Sequence, residues 1–271
     1  MFLDKLIPKY LYKYRNWEDP NHKRILTHNE IFFASSRNFN DPLDTAVPLR
    51  FDKGTDQQMK QLIRNYFSDT FQQQLNPSSE NILAKLVQGL AQNDANFIES
   101  FEADLQEKKF NQYGIFTMSA LCDNILLWSH YADAHKGFCV KFDMNILNSC
   151  FQKFVEVKRK IDIRKVEYES EFPLLNVFAM THEEIVVRQV IVKAVDWSYE
   201  KEFRAILYNS TNLRYEFEPE VLAEVIIGVK MSEQSRSEII SILKNRTPKV
   251  NLWQAKLKKR RFGLYLERID F

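Results

Sequence analysis

Glycine is scarce in this chain, and its placement excludes the common nucleotide-binding loops. The six glycines, at positions 54, 89, 114, 137, 228 and 263, never cluster and are never followed by lysine. A dinucleotide fingerprint and a P-loop both need clustered glycines so that backbone can approach phosphate. A nucleotide bound here must therefore be gripped by side chains. A GxSxG nucleophile elbow is missing as well, and with it the usual sign of a serine hydrolase of the α/β class. Cysteine is almost as rare: Cys122, Cys139 and Cys150 form no CxxC pair. Their odd number suits a reducing compartment better than a disulfide framework. Neither sign of charge is in excess, since 38 basic and 36 acidic side chains leave +2. That falls short of the bias of a dedicated nucleic-acid binder, so any polyanion contact has to be local. No long apolar run is present, and residues 1–8 are too short and too charged for a signal peptide. The expectation is a cytoplasmic protein with no membrane partner.

What is there is enough for a sizeable core: 271 residues, 45% of them hydrophobic and 13% aromatic. We expect residues 1–271 to form a single domain with a helical insertion at 55–110. Within that insertion Met59, Leu62, Ile63, Tyr66 and Phe67 recur at helical spacing, as do Ile82, Leu83, Leu86, Val87 and Leu90. Phe97, Ile98, Phe101 and Leu105 suggest a third helix, and the insertion reads as a packing or homo-oligomer module. Outside it, β-favouring runs predict strands at 11–14, 31–34, 113–118, 137–142, 163–168, 189–196, 202–207, 223–229, 250–255 and 261–266. A short helix is expected near 126–134, and another after Ser232. Many short strands with few helical crossovers favour an α+β fold with a mostly antiparallel sheet.

Four clusters could carry chemistry. Trp128, His130, Tyr131, Asp133 and His135 crowd one short stretch, but its two histidines lie five apart. On a helix at ~100° per residue they diverge by about 140°, so a zinc site is not favoured and no metal is assigned. In the second cluster, Glu200, Glu202 and Arg204 alternate and would share one strand face, as a catalytic carboxylate, its partner and the arginine that keeps it ionised. The third joins Tyr12-Lys13-Tyr14-Arg15 to Arg37 and the Asn40-Asp41-Pro42 turn, where basic residues beside hydroxyls could grip phosphate and ribose. The fourth, Lys256 to Arg261, holds five bases in six residues and reads first as a hairpin turn.

Together these motifs resemble a bacterial family of unknown-function domains, which share the Tyr-Lys-Tyr-Arg start, the Asn-Asp-Pro turn, a Trp-Ser-His-Tyr helix and a Tyr-Glu-x-Glu-Phe-Arg strand. More distantly, three features resemble the Arg-Ser-Glu plan of ADP-ribosyltransferases: an arginine ending the first strand, a serine after a Gly-Ile-Phe strand and a glutamate of a Glu-x-Glu pair. In this chain those positions are Arg15, Ser119 and Glu202. The departures are Thr117-Met118-Ser119 in place of Ser-Thr-Ser, and Glu224 as a rival for the catalytic position.

The resemblance implies a transferase fold and NAD as substrate. Glu202 would stabilise the reacting ribose, Glu200 would serve the acceptor, and Ser119 would position both. Arg15, with Lys13, Tyr14 and Arg37, would hold the pyrophosphate, while Trp128, His130 and Tyr131 would wall the nicotinamide side. It further implies a macromolecular acceptor, protein or nucleic acid, and a toxin or antiphage defence role. Two alternatives stay open. One is a non-catalytic nucleotide- or nucleic-acid-recognising domain, and the other is a metal-dependent nuclease built from Glu200, Glu202, Asp133 and His130.

Overall fold

The computed structural model describes residues 7–71, 113–155 and 160–271, with a few single residues between 85 and 103. The second and third helices expected in the insertion lie outside the described stretches. The chain divides into two compact units, one of Met1–Phe39, Tyr113–Tyr168 and Val195–Phe271, the other of Asn40–Gln112 and Glu169–Ala194.

The first unit is built on a sheet. Its early elements are β1 (Tyr10–Arg15), α1 (Pro20–Thr27) and β2 (Glu30–Ser35). Asp19 starts α1 by accepting from the Asn21 amide, and Pro20 occupies the first turn, where its missing N–H costs nothing. In the second unit follow β3 (Leu49–Arg50) and α2 (Asp56–Phe71), the latter where helical spacing predicts it. The first unit resumes with β4 (Gly114–Ser119), α3 (Ile125–Tyr131), β5 (Phe138–Asp143), α4 (Met144–Val155) and β6 (Ile161–Lys165). After β7 (Glu167–Glu169), the second unit holds β8 (Leu175–Asn176), α5 (His182–Ile191) and β9 (Val192–Ala194). The chain ends in the first unit with β10 (Glu202–Leu207), β11 (Leu213–Glu216), β12 (Leu222–Ile227), α6 (Glu233–Lys244), β13 (Asn251–Leu257) and β14 (Leu264–Ile269).

Among the described residues, ten strands of the first unit form one sheet, running β11-β2-β4-β1-β5-β12-β13-β14, with β10 between β4 and β6. Every pairing in it is antiparallel except that of β12 with β13, so the α+β, mostly antiparallel expectation holds. Alternation along the strands separates two cores. Leu11, Phe138, Val140, Phe142, Phe116 and Phe203 face one side, where Leu147 and Phe151 of α4 and Ile239 and Leu243 of α6 cover them. Tyr14, Cys139 and Ile226 face the other side and pack against Leu127 and Trp128 of α3. Fully burying each such aliphatic or aromatic side chain contributes roughly 1.5–3 kcal/mol.

One expectation fails. The strand expected over 189–196 shrinks to the three residues of β9, because residues 189–191 end α5 and a 3-10 turn starts at Val195. A capping box explains it: Thr181 Oγ1 accepts from the Glu184 amide while Glu184 accepts from the Thr181 amide. Ile185, Val186, Gln189 and Val190 are then buried at helical spacing. Burial of that face outweighs the strand preference of valine and isoleucine.

Candidate functional site

The site begins where the sheet divides. β4 carries β10 along the whole of one edge, from Glu202 opposite Ser119 to Leu207 opposite Gly114. Its other edge is shared, with β2 registered at Gly114 and Ile115 and β1 registered only at Ser119. Between those contacts Phe116, Thr117 and Met118 are registered with neither strand, so β1 and β2 part there. Lys13 enters the gap: its Nζ donates to Thr117 Oγ1 at 2.5 Å and lies 5.2 Å from the centre of the Phe116 ring.

Register also lines up a polar row on the face that α3 covers. Glu224 is opposite Lys141, Lys141 opposite Tyr12, Tyr12 opposite Ser119, and Ser119 opposite Glu202. The two glutamates that compete for the catalytic position are thus the two ends of one row across five strands. Glu224 is held by Lys141 Nζ at 3.1 Å, whereas Glu202 is the one beside the serine. Burial raises the Tyr12 phenol above its ordinary range, with Cys122 and then Glu224 adding to it.

The carboxylate end is tightly bonded. Arg204 donates Nε to Glu202 Oε1 at 2.8 Å and a terminal nitrogen to Oε2 at 3.2 Å, both groups being buried. The Arg204 guanidinium also lies 5.4 Å from the centre of the Phe39 ring. Such a two-point ion pair favours the charged carboxylate, as the alternation of Glu202 and Arg204 suggests. Glu200 does not share the strand. It ends a 3-10 turn over Val195–Glu200, and Lys201, at a φ of 46°, reverses the chain before β10 starts. The Glu200 carboxylate accepts from the Tyr131 hydroxyl at 2.6 Å, and its backbone carbonyl accepts from Ser119 Oγ at 2.5 Å. Ser119 Oγ in turn accepts from the Leu121 amide, so the serine clamps the turn that separates the two acids. Burial first, and Glu200 second, push the Tyr131 phenol far above its ordinary range.

The aromatic residues divide. His130 is exposed and lies 6.2–6.4 Å, ring to ring, from Tyr131, Trp197 and Tyr199, so these four form one surface patch beside Glu200. Trp128 and Tyr14 are core residues, packed edge-on at 5.1 Å, with their polar atoms donated to the carbonyls of Cys122 and Leu121. Arg37 sits in a 3-10 turn over Ser36–Asn38. Asp133, a ligand of the nuclease alternative, lies 3.6 Å from Lys136. No group of three or more metal-ligating side chains is gathered among the described residues.

Arg15 stands apart. It alternates with Lys13 and Leu11, so it faces the side opposite Tyr12, Ser119 and Glu202. There it lines a cavity of about 240 Å³ with Asn21, His22, Arg24 and Ile25 of α1, Glu30, Ile31 and Phe32 of β2, Phe116 of β4 and Arg214 of β11. Burial lowers the Arg15 guanidinium to about 10, with Asp19 countering. The structure therefore brings Ser119, Glu200, Glu202, Tyr131 and His130 together at the divided end of the sheet, while Lys13, which shares the strand face of Arg15, reaches that end only through the gap, where it meets Thr117, and Arg15 stays in the cavity on the opposite side. The sequence reading missed the cavity's other side chains. His22 and Arg24 follow a legible helix start at Asp19-Pro20, but nothing local announces that Arg214 arrives beside them.

The profile of a family described as a protein of unknown function (DUF2971) matches residues 127–205. That stretch contains the Trp-Ser-His-Tyr helix, β5 and the start of β10, the middle and late motifs on which the unknown-function resemblance rests. No curated protein and no solved structure matches the chain. No helix among the described residues is long and apolar enough to cross a membrane.

Proposed function

We propose that the chain is an ADP-ribosyltransferase-like enzyme that takes NAD as substrate and works at the Ser119–Glu202 end of the polar row. The observation that carries this reading is the neighbourhood of β1, β4 and β10, which puts a hydroxyl, two carboxylates and the Lys13 ammonium around the point where the sheet divides. When the nicotinamide–ribose bond breaks, its electron pair leaves with the nicotinamide and positive charge develops on the ribose. A preorganised carboxylate next to that charge lowers the barrier. Glu202 suits this role because Arg204 bonds both of its oxygens and favours its charged form. Glu200, oriented by Tyr131, takes the proton of the attacking acceptor group. Lys13 supplies the cation for pyrophosphate in the place first given to Arg15, and the His130–Tyr131–Trp197–Tyr199 patch offers a stacking surface for a flat ring. The acceptor in this reading is a macromolecule, and such NAD-consuming chemistry is the basis for extending it to a toxin or antiphage effector.

The test is incubation with labelled NAD and cell extract, following nicotinamide release and label transfer. Glu202→Gln is expected to lower the rate at least about 100-fold, with a melting curve to confirm that the variant folds and Glu200→Gln as a second probe. No release and no transfer by the parent protein, or a Glu202→Gln rate equal to the parent's, would end the proposal. One observation favours a second reading, a nucleotide-recognising domain without turnover. Glu200, Glu202 and Arg204 are 3%, 5% and 0% exposed, and they bond to internal partners. Saturable NAD binding without nicotinamide release would select it.

A further inference from the structure

The cavity lined by Arg15 has features that the transferase reading does not use. Three guanidinium groups and one carboxylate line it, a surplus of two positive charges. That carboxylate, Glu30, is already engaged through both oxygens by Arg24, at 2.5 and 2.6 Å, and Arg214 reaches it only at 3.9 Å. Arg15 has no hydrogen-bond or ion-pair partner among the described residues. Asn21 Oδ1 accepts from Arg214 at 3.1 Å and holds that guanidinium at the rim. His22 Nδ1 is buried without a hydrogen-bond partner. A part-buried guanidinium whose nearby carboxylate, Asp19, makes no ion pair with it is only partly compensated, and an anion in the cavity would supply the remaining charge. Phe32 and Phe116 add apolar wall beside these cations, room for more than a bare ion.

We propose that this cavity is a phosphoryl-anion site, separate from the carboxylate row, in which Arg15 and Arg214 hold the anion with the His22 imidazole alongside. The guanidinium fork matches phosphoryl oxygens two at a time, which favours this class over a spherical halide. The ligand is either inorganic phosphate or the phosphate of a small phosphomonoester.

Calorimetric titration of the full chain with inorganic phosphate and with AMP tests the site. One saturable site is expected for phosphate, weakened at least about tenfold in Arg15→Met and about threefold in Arg214→Gln, the latter a half-exposed side chain whose loss leaves folding intact. Glu202→Gln is expected to bind phosphate like the parent. Because Arg15→Met removes a part-buried charge that makes no ion pair, it should melt no lower than the parent without phosphate and lose the rise that phosphate gives. A merely structural arginine would do the reverse. AMP binding tighter than phosphate marks the ligand as a phosphomonoester, and phosphate equal or tighter marks it as the free ion; both uphold the site. No phosphate binding at concentrations on the order of 10 mM, Arg15→Met within about twofold of the parent, or displacement of phosphate by NAD would overturn it. None of these measurements depends on turnover, so the transferase reading stands or falls separately.

Discussion

His22 shows how one side chain records the charge around it. Its ring is pulled to about 4 from an ordinary 6.5, by burial first and by Arg15 second, with Asp19 and the Asn16 carbonyl pulling weakly upward and Lys13 downward. A group depressed in the folded state binds fewer protons there than in the unfolded chain. Its contribution is therefore fully present above the unfolded value, 6.5, and is lost as pH falls through the folded value, about 4. With the side chain partly exposed, the loss should be about 1–2 kcal/mol. Urea unfolding at pH 7 and pH 4.5 measures it: the parent should lose more stability over that interval than His22→Gln, and equal losses would refute the assignment. Arg15→Met should narrow the gap by raising the His22 midpoint, which histidine NMR titration reads directly.

At the scale of elements, the turn from α3 into β5 holds a run of left-handed residues. Asp133, Ala134 and His135 are consecutively left-handed, at φ 46°, 49° and 72°, a conformation that costs a non-glycine residue roughly 1–2 kcal/mol. The turn is held by Gly137 N–H donating to the Ala132 carbonyl at 2.7 Å and by Gly228 N–H donating to the Gly137 carbonyl at 2.9 Å. A Cβ on Gly137 would sit 2.1 Å from the carbonyl oxygen of Arg15, a backbone atom that cannot swing aside. Gly137→Ala should therefore destabilise by more than about 3 kcal/mol and weaken phosphate binding by displacing Arg15, whereas Ala134→Gly should stabilise by up to about 1 kcal/mol. Thermal melts of the two variants, moving in opposite directions, check the pair. The same turn shows what was legible in the sequence. Strands such as β5 and β10 announce themselves by composition, and the cap residue of α6, Ser232, by chemistry. The start of β10 falls where composition places it, but Glu200 does not share its face, because Lys201 adopts a left-handed conformation that lysine gives no reason to expect and Glu200 ends the preceding 3-10 turn. Motif order groups Ser119 with Glu202, and the register of β4 with β10 sets the two residues opposite each other. The anion cavity is invisible in the sequence because its lining is drawn from five elements whose meeting depends on sheet order.

For the whole molecule, the division into two compact units has an energetic consequence. The second unit joins two chain stretches far apart in sequence, 40–112 and 169–194, and β3 pairs with β8 in parallel to link them. Gln189 Nε2 donates to the Val47 carbonyl at 2.9 Å across the same junction, and Lys193 lies 3.5 Å from Asp44 with both side chains buried. Composition sets residues 55–110 apart but says nothing of 169–194, since those residues reveal their membership only through these long-range contacts. Removing one partner of a buried ion pair leaves the other charge uncompensated, so Lys193→Met should cost about 3–5 kcal/mol. Replacing both, as Asp44→Leu with Lys193→Met, should recover much of that, because an apolar pair pays no desolvation. If the units are cooperative blocks, the damage in Lys193→Met stays within the second. Hydrogen exchange should quicken in 40–71 and 169–194 while β4, β5 and β10 keep the parent's protection. Uniform acceleration across both sets of residues would mean that the chain unfolds as one block and that the ion pair stabilises the whole of it.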